Sequence, residues 1–280
     1  ASRTHAKAQA LARKLQCSAV ESWQQAATDP EVKAVCISTP NTLHYEQAKT
    51  ALEHGKHVLV EYPLCQTIEE ADELHDLAGK QGVVLHHALT ARTEPLFLAV
   101  AEHIPSLGSI ACARVTYFGG RNWHVKPDRV GDIFLALHIH FIDYFRGWFG
   151  EVQSVCATRH EAGEGESYMH SGTVLLKHER CPAAFVELGV GYLSRPQFTM
   201  HVLGSEGLLT KGEKIEFSRG GQTVEVHQGP NIAVKVDTDD FVAHVVEGAK
   251  PLRAWKDTRR SMQVSLDCTR SAAAGQQISY

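Results

Sequence analysis

Gly55-Lys-His-Val-Leu-Val-Glu-Tyr-Pro63 places a helix stop, a short β-rich run and a breaker in immediate succession. Glycine past a helix end accepts the left-handed conformation that closes it. Pro63 cannot donate to a strand ladder, so the strand is confined to His57–Glu61. Upstream, His44–His54 reads as the helix that Gly55 stops. Before it, Val35-Cys-Ile-Ser-Thr39 is an apolar run ending in small polar residues, followed by Pro40-Asn41. Downstream, Thr67-Ile-Glu-Glu70 is a capping box, Thr at N-cap and Glu at N3, that opens a helix to Lys80 before Gly82. Val83–His87 then reads as a third strand, and Thr4–Gln16 as an earlier helix with Ala8, Leu11, Ala12 and Leu15 at 3.6-residue spacing. Short apolar strands alternating with helices predict an α/β unit around a buried parallel sheet.

Past residue 90 the pattern changes. β-rich runs recur at Ala111–Tyr117, Ser154–Arg159, Gly172–His178, Ala183–Gly189, Gln197–Leu203, Ile215–Ser218 and Thr223–His227, joined by turns containing Gly, Pro or Lys-His-Glu-Arg. Helices are expected near Asp132–Trp148, Asp239–Glu247 and Thr258–Ala274. The expectation is one large, mostly antiparallel sheet in an α+β domain over 91–280, after an α/β domain over 1–90, with the terminal helix available to pack back on the first domain.

The 280 residues are 43% hydrophobic and 21% charged, which is enough for two domains with real cores and excludes disorder. Lys and Arg total 28 against 32 Asp and Glu, so no basic surplus exists to neutralise a phosphate backbone, and nucleic acid is not an expected partner. No apolar run reaches the roughly 18 to 20 residues that span a bilayer. The longest, around Ile133–Phe149, is interrupted by His138, His140, Asp143 and Arg146. Seven cysteines without a CxxC pair suit reduced thiols in the cytoplasm, and Ala1-Ser-Arg-Thr4 has no apolar core of a signal peptide. His86-His87 and His138-x-His140 lack the i, i+4 spacing of a helical metal site, so no metal is expected.

Five motifs in order resemble the Gfo/Idh/MocA family of NAD(P)-dependent oxidoreductases. They are Ile37-Ser-Thr-Pro-Asn-Thr-Leu-His44, Gly55-Lys-His-Val-Leu-Val-Glu-Tyr-Pro63, Ala136-Leu-His-Ile-His-Phe-Ile-Asp143, Gly204-Ser-Glu-Gly207 and Ser271-Ala-Ala-Ala-Gly275. The resemblance implies a Rossmann-like domain, here incomplete at its start, followed by an α+β domain with a large open-faced sheet. Three departures stand beside it. The sequence holds no strand, G-x-G-x-x-G turn and helix ahead of Ala1-Ser-Arg3, which corresponds to the tip of the family's second strand. A β-α-β half of that kind takes about 30 residues, so the expectation is that the natural chain carries them; a chain that fills the gap another way, or with a partner, is the alternative. Tyr62 stands where the family's Glu-Lys-Pro has lysine, a variant similar to that of biliverdin reductases. Ala136 stands where the family has Asp four residues before its histidine.

What the resemblance implies for the site can be stated residue by residue. NADP or NAD would lie against Ser2, Arg3, Ser38, Thr39, Pro40, Asn41, His44 and Glu61. A guanidinium at Arg3 suits a ribose 2′-phosphate and favours NADP; a solvated arginine in a helix N-terminal turn is the other reading. Tyr62, His140 and Asp143 are the candidate catalytic residues. His140 and Asp143 share a helix face, and an imidazole titrates where proton transfer to a substrate oxygen is useful. A hydrogen-bonded core histidine is the plainer reading of His140, and simple packing that of Tyr62. Arg92, Arg121, Trp123 and His124 are candidates for binding the substrate, Trp by stacking and Arg by meeting an anionic group. The partners implied are a small molecule, such as a sugar, a cyclitol or a conjugated ring compound, and further copies of the chain, as a homodimer or homotetramer through the open sheet face. A ligand-binding protein that has lost redox chemistry, and a lyase or isomerase, stay as alternatives.

Overall fold

The structure is a computed structural model that describes residues 1–120, 127–163, 168–193 and 196–280. The chain divides into two compact units, one formed by 1–88 with 238–252, the other by 89–237 with 253–280.

In the first unit, α1 (His5–Leu15) and α2 (Trp23–Thr28) precede β1 (Ala34–Ile37), α3 (His44–Glu53), β2 (His57–Glu61), α4 (Ile68–Gln81) and β3 (Leu85–Ala88). The strands pair in parallel in the order β1-β2-β3, with Val35 opposite Val58 and Val60 opposite His87. Val58 and Val60 are fully buried, as a central parallel strand requires. The capping box forms as its residues predict: Thr67 Oγ1 accepts from the Glu70 amide, and the Glu70 carboxylate accepts from the Thr67 amide. Gly82, at φ +66°, closes α4. After α1 the chain enters α2, whose N-cap Ser22 accepts from the Gln25 amide. On α1 only Ala8 and Ala12 are buried, while Leu11 and Leu15 of the expected apolar stripe stay exposed.

The second unit runs α5 (Pro95–His103), β4 (Ile110–Gly120), α6 (Pro127–Val130), α7 (Ile139–Phe149), β5 (Val152–Ala162), β6 (Met169–His178), β7 (Ala184–Leu193), β8 (Gln197–Gly204), β9 (Leu208–Lys211), β10 (Ile215–Arg219) and β11 (Gln222–Val226). Next come α8 (Ala233–Glu247), which crosses into the first unit, α9 (Trp255–Ala274) and β12 (Ile278–Ser279). The sheet order is β11-β10-β9-β8-β4-β7-β6-β5-β12, antiparallel throughout except for the parallel pair β4 and β7. Alternation sets its two faces. On β6, His170, Gly172, Val174, Leu176 and His178 are buried beneath helices, whereas Thr173, Leu175 and Lys177 point to the open side.

α7 carries the largest share of the buried aromatic side chains, with Tyr144, Phe145, Trp148 and Phe149 all inside. The expected single helix from Asp132 is interrupted at its start. Over Phe134–His138 it forms a π turn, in which the Ile139 amide reaches Phe134 O five residues back. The terminal helix α9 lies with the second unit, its Ser271 hydroxyl accepting from the Ala157 amide on β5, while the 238–252 segment joins the first unit. The reason is visible in that segment's anchor: Phe241 packs with Leu59 and Ala88. Among the described residues no helix is long and apolar enough to cross a membrane.

Candidate active site

Each unit gathers its own set of site residues. In the first, the carboxyl ends of β1 and β2 lead into two loops, Ser38–Asn41 and Tyr62–Pro63. His44, in the first turn of α3, ties them together from a fully buried position. Its Nδ1 lies 2.7 Å from Pro63 O and its Nε2 lies 2.9 Å from Thr39 O. Burial lowers the affinity of this ring for a second proton, and the two carbonyls pull the other way. Thr39 is held further by its hydroxyl, which donates to Gln47 Oε1 at 2.8 Å. Glu61 and Tyr62 are half-buried at the same edge, and the Tyr62–Pro63 peptide is cis. His44 therefore braces the two loops, with both of its ring nitrogens turned to the protein. Ser2 and Arg3 are exposed ahead of α1.

In the second unit His140 and Asp143 share a helix but serve different networks. His140 Nε2 lies 2.7 Å from Glu94 Oε1, and Tyr144, one turn further on α7, donates its hydroxyl to Glu94 Oε2. A carboxylate only accepts, so the ring proton sits on Nε2. Burial works against the charge of Glu94, yet its bonds to His140 and Tyr144 hold the carboxyl below the ordinary value.

Asp143, wholly buried, is the hub of the other network. Arg92 donates to it through Nε at 3.2 Å and Nη2 at 3.0 Å, Arg253 through Nη1 at 3.0 Å and Nη2 at 2.8 Å, and Ser261 Oγ at 2.7 Å. Arg146 Nη1 in turn donates to Ser261 Oγ at 2.7 Å. Burial alone would raise the Asp143 carboxyl, but Arg253 and Arg92 bring it down to about 2. A carboxylate with both oxygens saturated by guanidinium groups is poorly suited to exchanging protons with a substrate. The structure joins Asp143 to Arg92 and leaves His140 with Glu94. Arg121, Trp123 and His124 lie outside the described residues.

Sequence reading missed Glu94, Tyr144, Arg253 and Ser261. Tyr144 could have been found, because i, i+4 from His140 places it on the same helix face. Glu94 carries only the weak signal of an acidic residue before Pro95 at a helix start. Nothing local marks Arg253, which meets its partner across 110 residues of chain. Among the described residues, no group of three or more His, Cys, Asp or Glu side chains is arranged to hold a metal.

A dinucleotide can be tested against this arrangement. The nicotinamide half would find polar residues at the carboxyl edge of a parallel sheet, in Ser38, Thr39, Asn41 and Glu61, on loops that His44 braces. No Gly-rich phosphate turn occurs in the sequence. The residues present fit the reactive end of the cofactor.

Comparison with known proteins agrees with both units. Residues 1–89 match the oxidoreductase family with an NAD-binding Rossmann fold, and residues 107–210 match the GFO/IDH/MocA C-terminal domain. The chain is 32% identical to 1,5-anhydro-D-fructose reductase of Ensifer adhaerens, over 68% of this chain and 60% of that one. It is 26% identical to an NADP(+)-dependent scyllo-inositol 2-dehydrogenase of Bacillus subtilis, over 75% of this chain and 63% of that one. It thus spans less than two thirds of either relative. Biliverdin reductase of Synechocystis, solved with biliverdin and NADP+, shares the fold at a TM-score of 0.89 with 24% identity, covering 97% of this chain and 89% of that structure. With two domain patterns of one family matched in order over more than half its length, the chain belongs to the Gfo/Idh/MocA family of oxidoreductases.

Proposed function

We propose that the protein is an NAD(P)-dependent oxidoreductase that moves a hydride between nicotinamide and a carbonyl, hydroxyl or imine carbon of a small substrate. The observation that carries this reading is the pair of loops at the carboxyl ends of β1 and β2, locked to each other through His44. Parallel sheets of this kind receive dinucleotides at that edge. The cofactor, when bound, supplies or accepts the hydride. Ser38, Thr39, Pro40, Asn41 and Glu61 line its reactive end, and Ser2 and Arg3 its ribose, where Arg3 favours NADP. His140 is the candidate to give or take the proton at the substrate oxygen, and Tyr62 the candidate to polarise a substrate through its hydroxyl. Asp143 and Arg92 hold α7 and the segment before α5 in place. The names of the relatives point to sugar or cyclitol derivatives, and Tyr62 in place of lysine extends the range to conjugated ring compounds.

His140→Asn is expected to keep the fold and cofactor binding while lowering turnover about 10²–10⁴-fold, the usual worth of one proton-transfer group. Tyr62→Phe should cost a similar factor if the phenol polarises the acceptor and little if it only packs. Stopped-flow measurement of NADPH oxidation by the full-length protein decides both. Wild-type turnover in His140→Asn would remove this residue from the mechanism. No hydride transfer by the wild type to aldehydes, ketones, imines or bilins would favour a non-redox member of the family, a reading that Tyr62 and Ala136 support.

The open face of the large sheet is the proposed contact between copies, in a homodimer or homotetramer. Leu175 pairs across strands with Phe185 and Cys112 with Leu203, and the three large apolar side chains are 39%, 37% and 43% exposed. Covering such a face is the expected response to an apolar patch. Sedimentation equilibrium should find a dimer or larger, and Phe185→Asp should shift it towards monomer; a wild-type monomer would overturn the assignment. Seven free thiols suit a cytoplasmic location.

A further inference from the structure

We propose that the end of α7 remote from His140 carries a second binding site, for a small apolar α-amino acid. The site stands apart from the oxidoreductase reading. Phe149 lies nine residues beyond His140, about 14 Å along α7 at 1.5 Å per residue, and every residue of the site belongs to the second unit.

The site is a cleft of about 570 Å³ where the turn between β6 and β7 meets the end of α7 and the start of β4. That volume lies within the range of small-molecule pockets. Ile104, Pro105, Ile110, Trp148, Phe149 and Pro182 form its apolar wall. Trp148 is fixed there, because its Nε1 donates to Phe97 O at 3.2 Å and its ring stacks on that of Phe97. The polar side carries Lys177, Glu179 and Arg180, three charges within four consecutive residues.

The turn that presents these charges is pinned. The His178 amide donates to Cys181 O at 2.8 Å, the Glu179 amide to Glu151 O at 3.2 Å and the Arg180 amide to Phe149 O at 3.0 Å. His178 Nδ1 donates to Gly150 O at 2.9 Å, and Arg180 Nη2 to Trp148 O at 3.0 Å. These bonds occupy the carbonyls at the end of α7, which would otherwise repel a carboxylate. They also leave charge over. Arg180 spends one nitrogen of its guanidinium, and among the described residues neither Lys177 nor Glu179 has an ion-pair partner. The Glu179 carboxylate lies over Gly150, where glycine leaves it room.

An α-amino acid meets each of these features. Its carboxylate would be received by Lys177 and by the remaining nitrogens of Arg180, and its ammonium group by Glu179. Its side chain would bury apolar surface against Trp148, Phe149, Ile104 and Ile110. A plain carboxylic acid would set an anion against Glu179, and a plain amine would set a cation against Lys177 and Arg180. Only a ligand with both groups a few bonds apart gives all three charges an opposite partner. Because the cleft is already formed and its turn held, little ordering cost falls on binding.

Calorimetric titration of the full chain with L-phenylalanine and L-leucine tests this, with the site mapped by NMR on the amides of Gly108, Gly150 and Arg180 and the indole of Trp148. One saturable site that shifts these signals is expected. 3-Phenylpropionate lacks the ammonium group and 2-phenylethylamine the carboxylate, and each should bind about tenfold more weakly than L-phenylalanine, the worth of one charge-assisted contact. Lys177→Gln and Glu179→Gln remove charges that hold nothing else in place, so each should weaken L-phenylalanine by a similar factor without changing Tm. Ile104→Trp, which fills the apolar side, should abolish binding. No saturable binding up to about 10 mM overturns the proposal, as does binding that shifts signals elsewhere in the chain. Equal affinity for the three phenyl compounds, or unaltered affinity in both charge variants, overturns it as well. If Ile104→Trp does not fold, the two charge variants carry the test. Failure to find hydride transfer, with amino-acid binding as expected, would count against the oxidoreductase reading alone.

Discussion

Asp143→Ala is expected to destabilise the protein by about 3–5 kcal/mol, the cost of removing one partner from a buried ion pair. The carboxylate is wholly buried and accepts from two guanidinium groups and a serine hydroxyl, so its loss strands positive charge with little water to solvate it. Arg253 and Arg146 are the worst affected, their side chains being 13% and 2% exposed. Arg146 retains Glu151 and the Asp257 carbonyl, and Arg253 keeps Leu89 O, which limits the damage. For a protein of this size the loss corresponds to a fall in Tm of about 10 °C. Asp257→Asn, at a partly exposed carboxylate that stands 3.6 Å from Arg146, should cost less than about 1 kcal/mol. Equal losses in the two variants, measured by thermal unfolding, would show that the hub is not centred on Asp143.

A second expected result concerns pH. Three buried histidines, His138, His170 and His178, are pushed down from an ordinary value of 6.5, to about 4, about 3 and about 4 respectively. Burial is the main cause in each. His138 and His170 also repel each other, with ring centroids 6.0 Å apart, and Arg159 adds to the repulsion on His170, while Glu161, 3.7 Å from His170 Nδ1, is the nearby anion. His178 Nδ1 faces Gly150 O at 2.9 Å, between the rings of Phe145 and Phe149.

The folded state keeps these rings neutral, whereas the unfolded chain protonates them near 6.5. Their contribution is thus fully present above that pH and is lost as pH falls towards 4 and below. Each ring costs about 1.4 kcal/mol per pH unit inside the window, so three together cost about 4 kcal/mol per unit. Asp143 works in the same direction but lower, between its ordinary 3.8 and about 2, so the histidines should unfold the protein first. Urea unfolding at pH 7 and pH 5 should show a loss of several kcal/mol, and His170→Leu should reduce the slope by about a third. Equal stability at the two pH values would sink the argument.

The fold was legible to the extent that its signals are local. Gly55, Pro63 and the Thr67–Glu70 capping box each act within a few residues, and the elements they delimit form where expected. Alternation exposed the strands of the large sheet, though not that β4 and β7 run parallel, because pairing partners are chosen at long range. For the candidate site, resemblance named residues but not the contacts they make. His44, expected to face a cofactor, spends both nitrogens on backbone carbonyls. Asp143 shares a face with His140 on α7 yet answers to Arg253 and Ser261, residues that no spacing rule connects to it. Periodicity tells which side of a helix is buried and says nothing of what waits there.

The π turn at Phe134–His138 separates the phase of the chain before it from the phase of the helix after it. One residue in an α-helix is worth about 100° of rotation, so an insertion or deletion upstream of an unbroken helix would swing every later side chain to a new azimuth. A wide turn takes up that single residue on the spot. Arg92, Arg253, Ser261 and Glu94 grip α7 from beyond the turn and would keep His140 and Tyr144 at their headings while the count of residues before Ile139 changed by one. The turn works as a slip joint, and it would let the stretch that begins at Asp132 gain or lose a residue without re-aiming the histidine.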